Sequence, residues 1–486
     1  MDMSLFATKS VSRIMSESEG GAHHLQRTLG PLQLVALGIG AIIGAGLFSL
    51  TGVAAAQNSG PAVALSMVIA GIGCAFAGLC YSEFSCMIPV AGSAYTYAYA
   101  TLGEWIAWII GWDLVIEYAI GSATVSISWS GYVVSLLHAF HISLPAQWIA
   151  GPFEAVVLPD GTTAQGYANL PAVIVVFLVS MLLMLGIKES ARTNAVVVVI
   201  KLAVVLVFIG VGWSYINPAN YRPFIPQNTG QFGSYGFSGL MMGAGTIFFA
   251  YIGFDAVSTA AQECKNPQRD MPIGIIGSLV VCTVLYILFG LVLTGLVPYR
   301  QLDVAAPVAL AIARTPYVWM NNLVIFGIIC GFTSVILVML LGQSRVFYSM
   351  SRDGLVPKVF SEIHPKFRTP WRSNLLFFFF VAPFSALLPL NIVGRMTSIG
   401  TLFAFVIVCA GVWVMRVKNP NQARPFQTPW VPVVPILGML VNFALMYSLG
   451  WSNWLRLIVW LVIGQVIYFA YGRRHSHLRQ NGPRNP

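Results

Sequence analysis

Apolar residues run in stretches of about twenty along nearly the whole chain, divided by short polar or turn-rich breaks. A run of that length, wound as an α-helix, matches the roughly 30 Å hydrocarbon core of a bilayer. Twelve such spans are predicted, starting near residues 32, 61, 105, 170, 194, 236, 272, 322, 373, 396, 430 and 454. Pro61, Pro171 and Pro272 stand at or near predicted helix starts, where the missing N–H of proline costs nothing. The expected architecture is an all-α integral membrane bundle forming one domain over 32–472, between an amino-terminal arm (1–31) and a basic tail (473–486).

Composition agrees with burial in lipid: 57% of residues are hydrophobic and 9% charged, against about 25% charged in soluble domains. The net charge of +10 does not indicate a nucleic-acid partner, because the basic residues are scattered between apolar runs and form no patch interleaved with aromatics. It indicates orientation. An even number of spans puts both termini on one side. Lys9, Arg13, Arg27, Lys188, Arg192, Lys265, Arg269, Arg345, Arg352, Lys358, Lys366, Arg368, Arg372, Arg416, Lys418, Arg424, Arg473, Arg474, Arg479 and Arg484 fall on that side, against Arg222, Arg300, Arg314, Arg395 and Arg456 opposite. The positive-inside rule then places both termini in the cytoplasm of a cytoplasmic (inner) membrane. The seven cysteines lie in or beside apolar runs with no CxxC pair, and read as small buried hydrophobes. No metal site and no cofactor are expected, nor does any nucleophile, base and orienter form an enzyme's constellation. The first apolar stretch follows a polar arm and is too long for a cleaved signal, so it is expected to stay as an anchor.

Two spans depart from a straight helix. Span 1 carries Gly38, Gly40, Gly44 and Gly46, each costing roughly 1 kcal/mol relative to alanine in a helix. Either the helix breaks there, and its freed backbone lines a cavity or meets a ligand, or Gly40 and Gly44 form a small-residue packing face. No strand precedes them, which excludes a dinucleotide fingerprint. Span 6 sets Gly253 beside Asp255 deep in an apolar run, where an ionised aspartate costs about 2.5 to 3.5 kcal/mol. Asp255 needs a polar partner or water, or caps a half-helix. Spans 1 and 6 are five apart, so a second copy of the first five helices would lie inverted in the membrane, with repeats over about 32–217 and 236–416 and two further helices over about 430–472. Half-helix amides suit a carboxylate and freed carbonyls an ammonium, so one zwitterion would satisfy both.

Three segments carry a family resemblance: GIGAIIGAGLFSLTG in span 1, FFAYIGFDAVSTAAQE in span 6 and RVFYSMSRDGLVP after span 8. They resemble the amino acid–polyamine–organocation superfamily, and within it the cationic amino acid transporter family and its bacterial relatives, over about residues 25–420. The resemblance implies a five-plus-five inverted repeat of the leucine-transporter type, alternating access and secondary active transport of amino acids. It implies that the backbone of Ile42, Ile43, Gly44, Ala45 and Gly46 receives the substrate carboxylate. Phe249, Ala250 and Ile252 would supply carbonyls for the ammonium and, at Phe249, an aromatic gate. Many members carry serine or threonine where Ala45 stands, so recognition there is left to the main chain.

Lys201, about seven residues into span 5, would lie about 10 Å deep, within reach of snorkelling. The alternative comes from the resemblance: proton-coupled members carry such a lysine in place of a sodium ion between spans 1, 5 and 8. Charged Lys201 would bridge span 1 carbonyls and span 8 hydroxyls near Thr333 and Ser334, with H+ as the coupling ion. Asp113 and Glu117 share one face of span 3, as a polar pathway or paired with a distant base. Glu83 is expected as a cytoplasmic gate or interface residue. Met339 on span 8 is expected at the pocket floor, favouring small or apolar side chains. The expected partners are an amino acid and the lipid bilayer; a small additional membrane subunit stays open, as do an exchanger of amino acids or polyamines and an amino-acid sensor.

Overall fold

The computed structural model of the chain describes residues 5–11, 14, 29–90, 93–158, 160–186 and 191–481. Arg13, Arg27, Lys188 and Arg484, and most of the arm expected over 1–31, lie outside the described residues. Eight helices among the described residues are long and apolar enough to cross a membrane. Four shorter apolar helices, Pro31–Ile42, Leu170–Met184, Trp371–Leu387 and Val433–Ser448, stand where spans 1, 4, 9 and 11 were predicted.

Numbered as predicted, span 1 opens with Pro31–Ile42, halts, and resumes at Gly46, while span 2 covers Val63–Met87. Span 3 runs from Glu104 to Ala139 through a π-helical turn at Ile116–Ile120. Span 5 is Ala191–Trp213, span 7 Pro267–Leu296, span 8 Val318–Arg352, span 10 Leu390–Lys418 and span 12 Trp451–Ile467. Pro272, expected at a helix start, lies inside span 7; Pro267 holds the first position instead. Between spans 3 and 4 a short antiparallel hairpin pairs Ala155–Val157 with Thr163–Gln165, so the chain is not wholly helical. Asp160 shapes its turn by accepting hydrogen bonds from the Thr162 amide at 3.0 Å and hydroxyl at 2.6 Å, and these hold its carboxyl below the usual range.

The helices pack in two groups. Span 7 lies along spans 1 and 2, and span 6 along span 2; span 3 packs on span 8, span 4 on span 9, and spans 3 and 4 on each other. Span 5 touches spans 1, 7 and 8, and span 10 touches spans 2, 3, 6 and 11, so both sit between the groups.

Both described ends of the chain meet at one end of the bundle. Lys9 Nζ pairs with Asp353 in the loop after span 8 at 2.8 Å, and the Tyr95 hydroxyl donates to the same carboxylate at 2.7 Å. The fully buried Glu104 accepts from Tyr99, Tyr468, Ser476 and the Arg479 guanidinium. The tail thus folds back onto the bundle through Arg479. Glu83 belongs to a fixed tie. It takes Arg416 by two hydrogen bonds at 2.9 and 3.0 Å, the Thr428 amide at 2.8 Å and Arg424 at 3.3 Å, locking span 2 to the end of span 10.

Removing one partner of such a buried pair leaves the other charge uncompensated. Glu83→Gln is expected to cost about 3 kcal/mol, seen as a lowered Tm of the detergent-solubilised protein. Arg424→Gln, which leaves the Arg416 fork intact, should cost less in the same measurement.

Candidate functional site

Span 1 stops because its glycines weaken the helix in the middle of an apolar run. Ile43 turns extended, with ψ 108°, and the Ile43 amide is the last to reach back, to Ile39 at 2.9 Å. The amides that would have met the carbonyls of Gly40, Ala41 and Ile42 belong to Gly44, Ala45 and Gly46, past the break. Each freed carbonyl meets something else. Gly40 accepts from Lys201 Nζ at 2.6 Å, and Ile42 accepts from the Tyr286 hydroxyl at 2.9 Å. Ala41 abuts Gly253, where a side chain's Cβ would stand 2.7 Å from that oxygen. Gly253 also has φ +118°, a conformation open chiefly to glycine.

Span 6 breaks at the same level. Its helix Gly236–Ile247 tightens over Phe248–Tyr251, extends at Ile252 with ψ 135°, and restarts as Ala256–Thr259. The Tyr286 hydroxyl reaches the Ala250 carbonyl at 2.9 Å as well, so one hydroxyl proton serves two carbonyls, one on each broken span. Gly46 lies on Ala250 so closely that a Cβ there would fall 2.2 Å from the Ala250 Cα. On the far side of the break the Gly44 carbonyl accepts from Leu47 and Phe48, and the leading amides of this half-helix have no preceding turn to receive them. The structure thus brings Ile42, Ile43, Gly44, Ala45 and Gly46 together with Phe249, Ala250 and Ile252, all buried.

Met339 is buried. Val335, one helical turn before it, is the span 8 residue that touches Gly44, at 3.4 Å from a Cβ built there, while the Met339 thioether packs at Gly121 of span 3. Thr333 does not face span 1: its hydroxyl donates to Ile329 at 2.9 Å and accepts from the Trp129 indole at 3.0 Å. Ser334 is buried beside it. Lys201 is 1% exposed and does not snorkel. The helix begins at Ala191, so Lys201 is roughly 15 Å from its start rather than 10. Its methylenes occupy the space beside Gly331 of span 8.

The remaining acids converge. Tyr118 donates to Asp255 at 2.8 Å, and Glu117 lies against Asp255 and near Asp113. Asp255 stands at the start of Ala256–Thr259, yet its side chain makes no capping hydrogen bond, which removes the capping alternative. Nor do Asp113 and Glu117 pair with a distant base: their carboxyl oxygens have no hydrogen-bond partner among the described residues. Span 8 supplies Gln343, fully buried and equally unpartnered, one turn beyond Met339 as Glu117 is one turn before Gly121. A trio of carboxyls at this depth is tolerated only when neutral or hydrated.

Sequence reasoning missed Tyr286, Val335 and Tyr118. For the tyrosines the only signal was a hydroxyl inside an apolar span, which must find a partner.

The family model described as amino acid permease matches residues 29–468. The branched-chain amino acid permease BcaP of Bacillus subtilis (strain 168) is 45% identical over 481 residues, 99% of this chain and 100% of the relative. The methylthioribose transporter of the same organism is 42% identical over 477 residues, 98% and 100% of the two chains. The vacuolar cationic amino acid transporter 4 of Arabidopsis thaliana is 30% identical over 601 residues, 98% and 96% of the two chains.

Tyr286→Phe removes the donor shared by Ile42 and Ala250. It is expected to cost about 1–3 kcal/mol, measured as a lower Tm in detergent. Gly253→Ala forces both an unfavourable φ and a clash with Ala41, and should lower the Tm further.

Proposed function

Because the chain belongs to the amino acid permease family, and so is a multi-pass membrane transporter and not an enzyme, we propose that it is a secondary transporter importing an apolar amino acid across the cytoplasmic membrane by proton symport. One observation carries the reading: a single buried place offers leading amides of one half-helix and carbonyls of two broken helices, the complement of a zwitterion. The substrate carboxylate would lie on the amides of Gly44, Ala45 and Gly46. Its ammonium, with three donors, would take over the Ile42 and Ala250 carbonyls that the Tyr286 hydroxyl divides.

Alternating access is supported by the packing. Spans 2 and 7, 3 and 8, and 4 and 9 lie together, each pair five apart, as do the breaks of spans 1 and 6. This is the pairing an inverted repeat produces, and it supports a five-plus-five arrangement. Both described termini lie at one end of the bundle, and the excess of Lys and Arg there makes that end cytoplasmic.

Lys201 links proton occupancy to the site. Its ammonium binds Gly40, two residues before Ile42, so losing the proton converts a charge-assisted bond to span 1 into a weak one. Substrate that prefers the charged form then favours proton uptake by the same factor. An apolar side chain fits the neighbours Ile43, Val335 and Phe249, and Ala45 offers it no hydroxyl. A branched-chain amino acid meets these terms; methylthioribose, a neutral sugar thioether, offers neither carboxylate nor ammonium to the broken helices.

The test is uptake into proteoliposomes of labelled L-leucine, L-isoleucine, L-valine, L-arginine and methylthioribose, with and without an inward proton gradient, in wild type and Lys201→Met. Gradient-stimulated uptake of the branched-chain amino acids, lost in Lys201→Met while exchange persists, is the expected result. Uptake indifferent to gradient and to Lys201 would show an exchanger, and preference for methylthioribose would overturn the substrate.

A further inference from the structure

Arg395 stands in the second turn of span 10, at the end of the bundle away from the termini, and points between the outer halves of spans 1 and 6. Its Nη2 donates to Gln57 at 3.2 Å and Asn58 at 3.1 Å, at the end of span 1, and its Nε donates to Thr246 at 3.3 Å, one turn before Ala250. All three acceptors are neutral, and Nη1 has no partner among the described residues. Among the described residues no carboxylate lies within ion-pair distance. The charges that act on it are Arg456, also positive, and Asp303, whose carboxylate is held by the Gln57 amide at 3.0 Å. A guanidinium is a planar fork whose strongest partner is a carboxylate bound by two parallel hydrogen bonds. Here it is kept close to the candidate site, flanked by a second arginine, with its fork divided among single bonds to uncharged groups.

We propose that Arg395 is an outer docking site for the α-carboxylate of the incoming amino acid, which displaces Gln57 and Asn58 from the guanidinium before passing to the amides of Gly44, Ala45 and Gly46. The assignment rests on the amino-acid reading above and adds a step to it. Arg395 now ties spans 1, 6 and 10 together over the broken segments, and the exchange of neutral acceptors for a carboxylate releases that tie only when a substrate carrying the right charge arrives. Arg456, bonded to Asn453 at 2.7 Å, adds positive potential that draws anions to the same entrance.

The test uses full-length protein in proteoliposomes, with L-leucine as substrate and two truncated probes: 4-methylpentanoate, which lacks the amine, and 3-methylbutylamine, which lacks the carboxylate. In wild type, 4-methylpentanoate applied outside is expected to inhibit L-leucine uptake more strongly than 3-methylbutylamine. Arg395→Gln should raise the outside KM about ten-fold or more and abolish inhibition by 4-methylpentanoate. Arg395→Lys, which keeps the charge and loses the fork, should recover part of both. Equilibrium binding of L-leucine in detergent, measured on the same preparations, reports folding and the central site. Intact binding with an unchanged outside KM and persistent inhibition overturns the outer site alone. A raised KM with inhibition by 4-methylpentanoate unchanged overturns it in favour of a latch that never meets substrate. No L-leucine binding by wild type overturns the amino-acid reading, and the outer site with it.

Discussion

A carbonyl released from its helix inside hydrocarbon has no water to turn to, and each one left unmatched costs several kcal/mol. Much of this molecule can be understood as the answer to three such carbonyls, at Gly40, Ala41 and Ile42. One is met by a lysine from span 5 and one by a tyrosine from span 7, while the third lies against Gly253 of span 6. Three neighbouring elements are thereby fixed to the same short stretch of span 1. What fixes them is weak enough to be exchanged, since each contact is a single hydrogen bond or an approach that depends on glycine.

The two packing groups give that stretch its setting. Spans 1, 2, 6 and 7 carry the breaks, and spans 3, 4, 8 and 9 carry the wall they face, with Val335 touching Gly44 across the seam. Spans 5 and 10 stand between the groups, and each holds a basic residue bonded to span 1, Lys201 to Gly40 and Arg395 to Asn58. The ties at the terminal end are of a different kind. The fork from Arg416 to Glu83 and the cluster on Glu104 join elements by several charge-assisted bonds each, so that end is the more rigid anchor.

The apolar runs and glycine positions made much of this legible in the sequence. Four glycines in span 1, and Gly253 beside Asp255 in span 6, located both interruptions because helix weakening is a local property. The partners of the interruptions were not legible, because they are set by which face of another helix arrives there. Tyr286 looks like any aromatic in an apolar run. Met339 was placed by counting back along span 8 from Arg345 and Thr333 by the family resemblance; neither fixes the rotation of the helix, and it is Val335 that touches Gly44. For Lys201 the start of its helix was read three residues late, which kept snorkelling as a competing reading beside the buried proton-coupling one. The carboxyl trio was invisible as a group, since Asp255 is 138 residues from Glu117 and nothing in spacing joins them.

Glu104 opens span 3, early in the chain, yet the cation that compensates it is Arg479, made after every span has been synthesised. During biogenesis this carboxylate waits beside its tyrosines without a counter-charge, and the bundle can bury it without penalty only once the last segment has emerged and folded back. The joint therefore depends on completeness: a chain cut short before Arg479 would leave Glu104 without its counter-charge at the end of the bundle where the described termini meet.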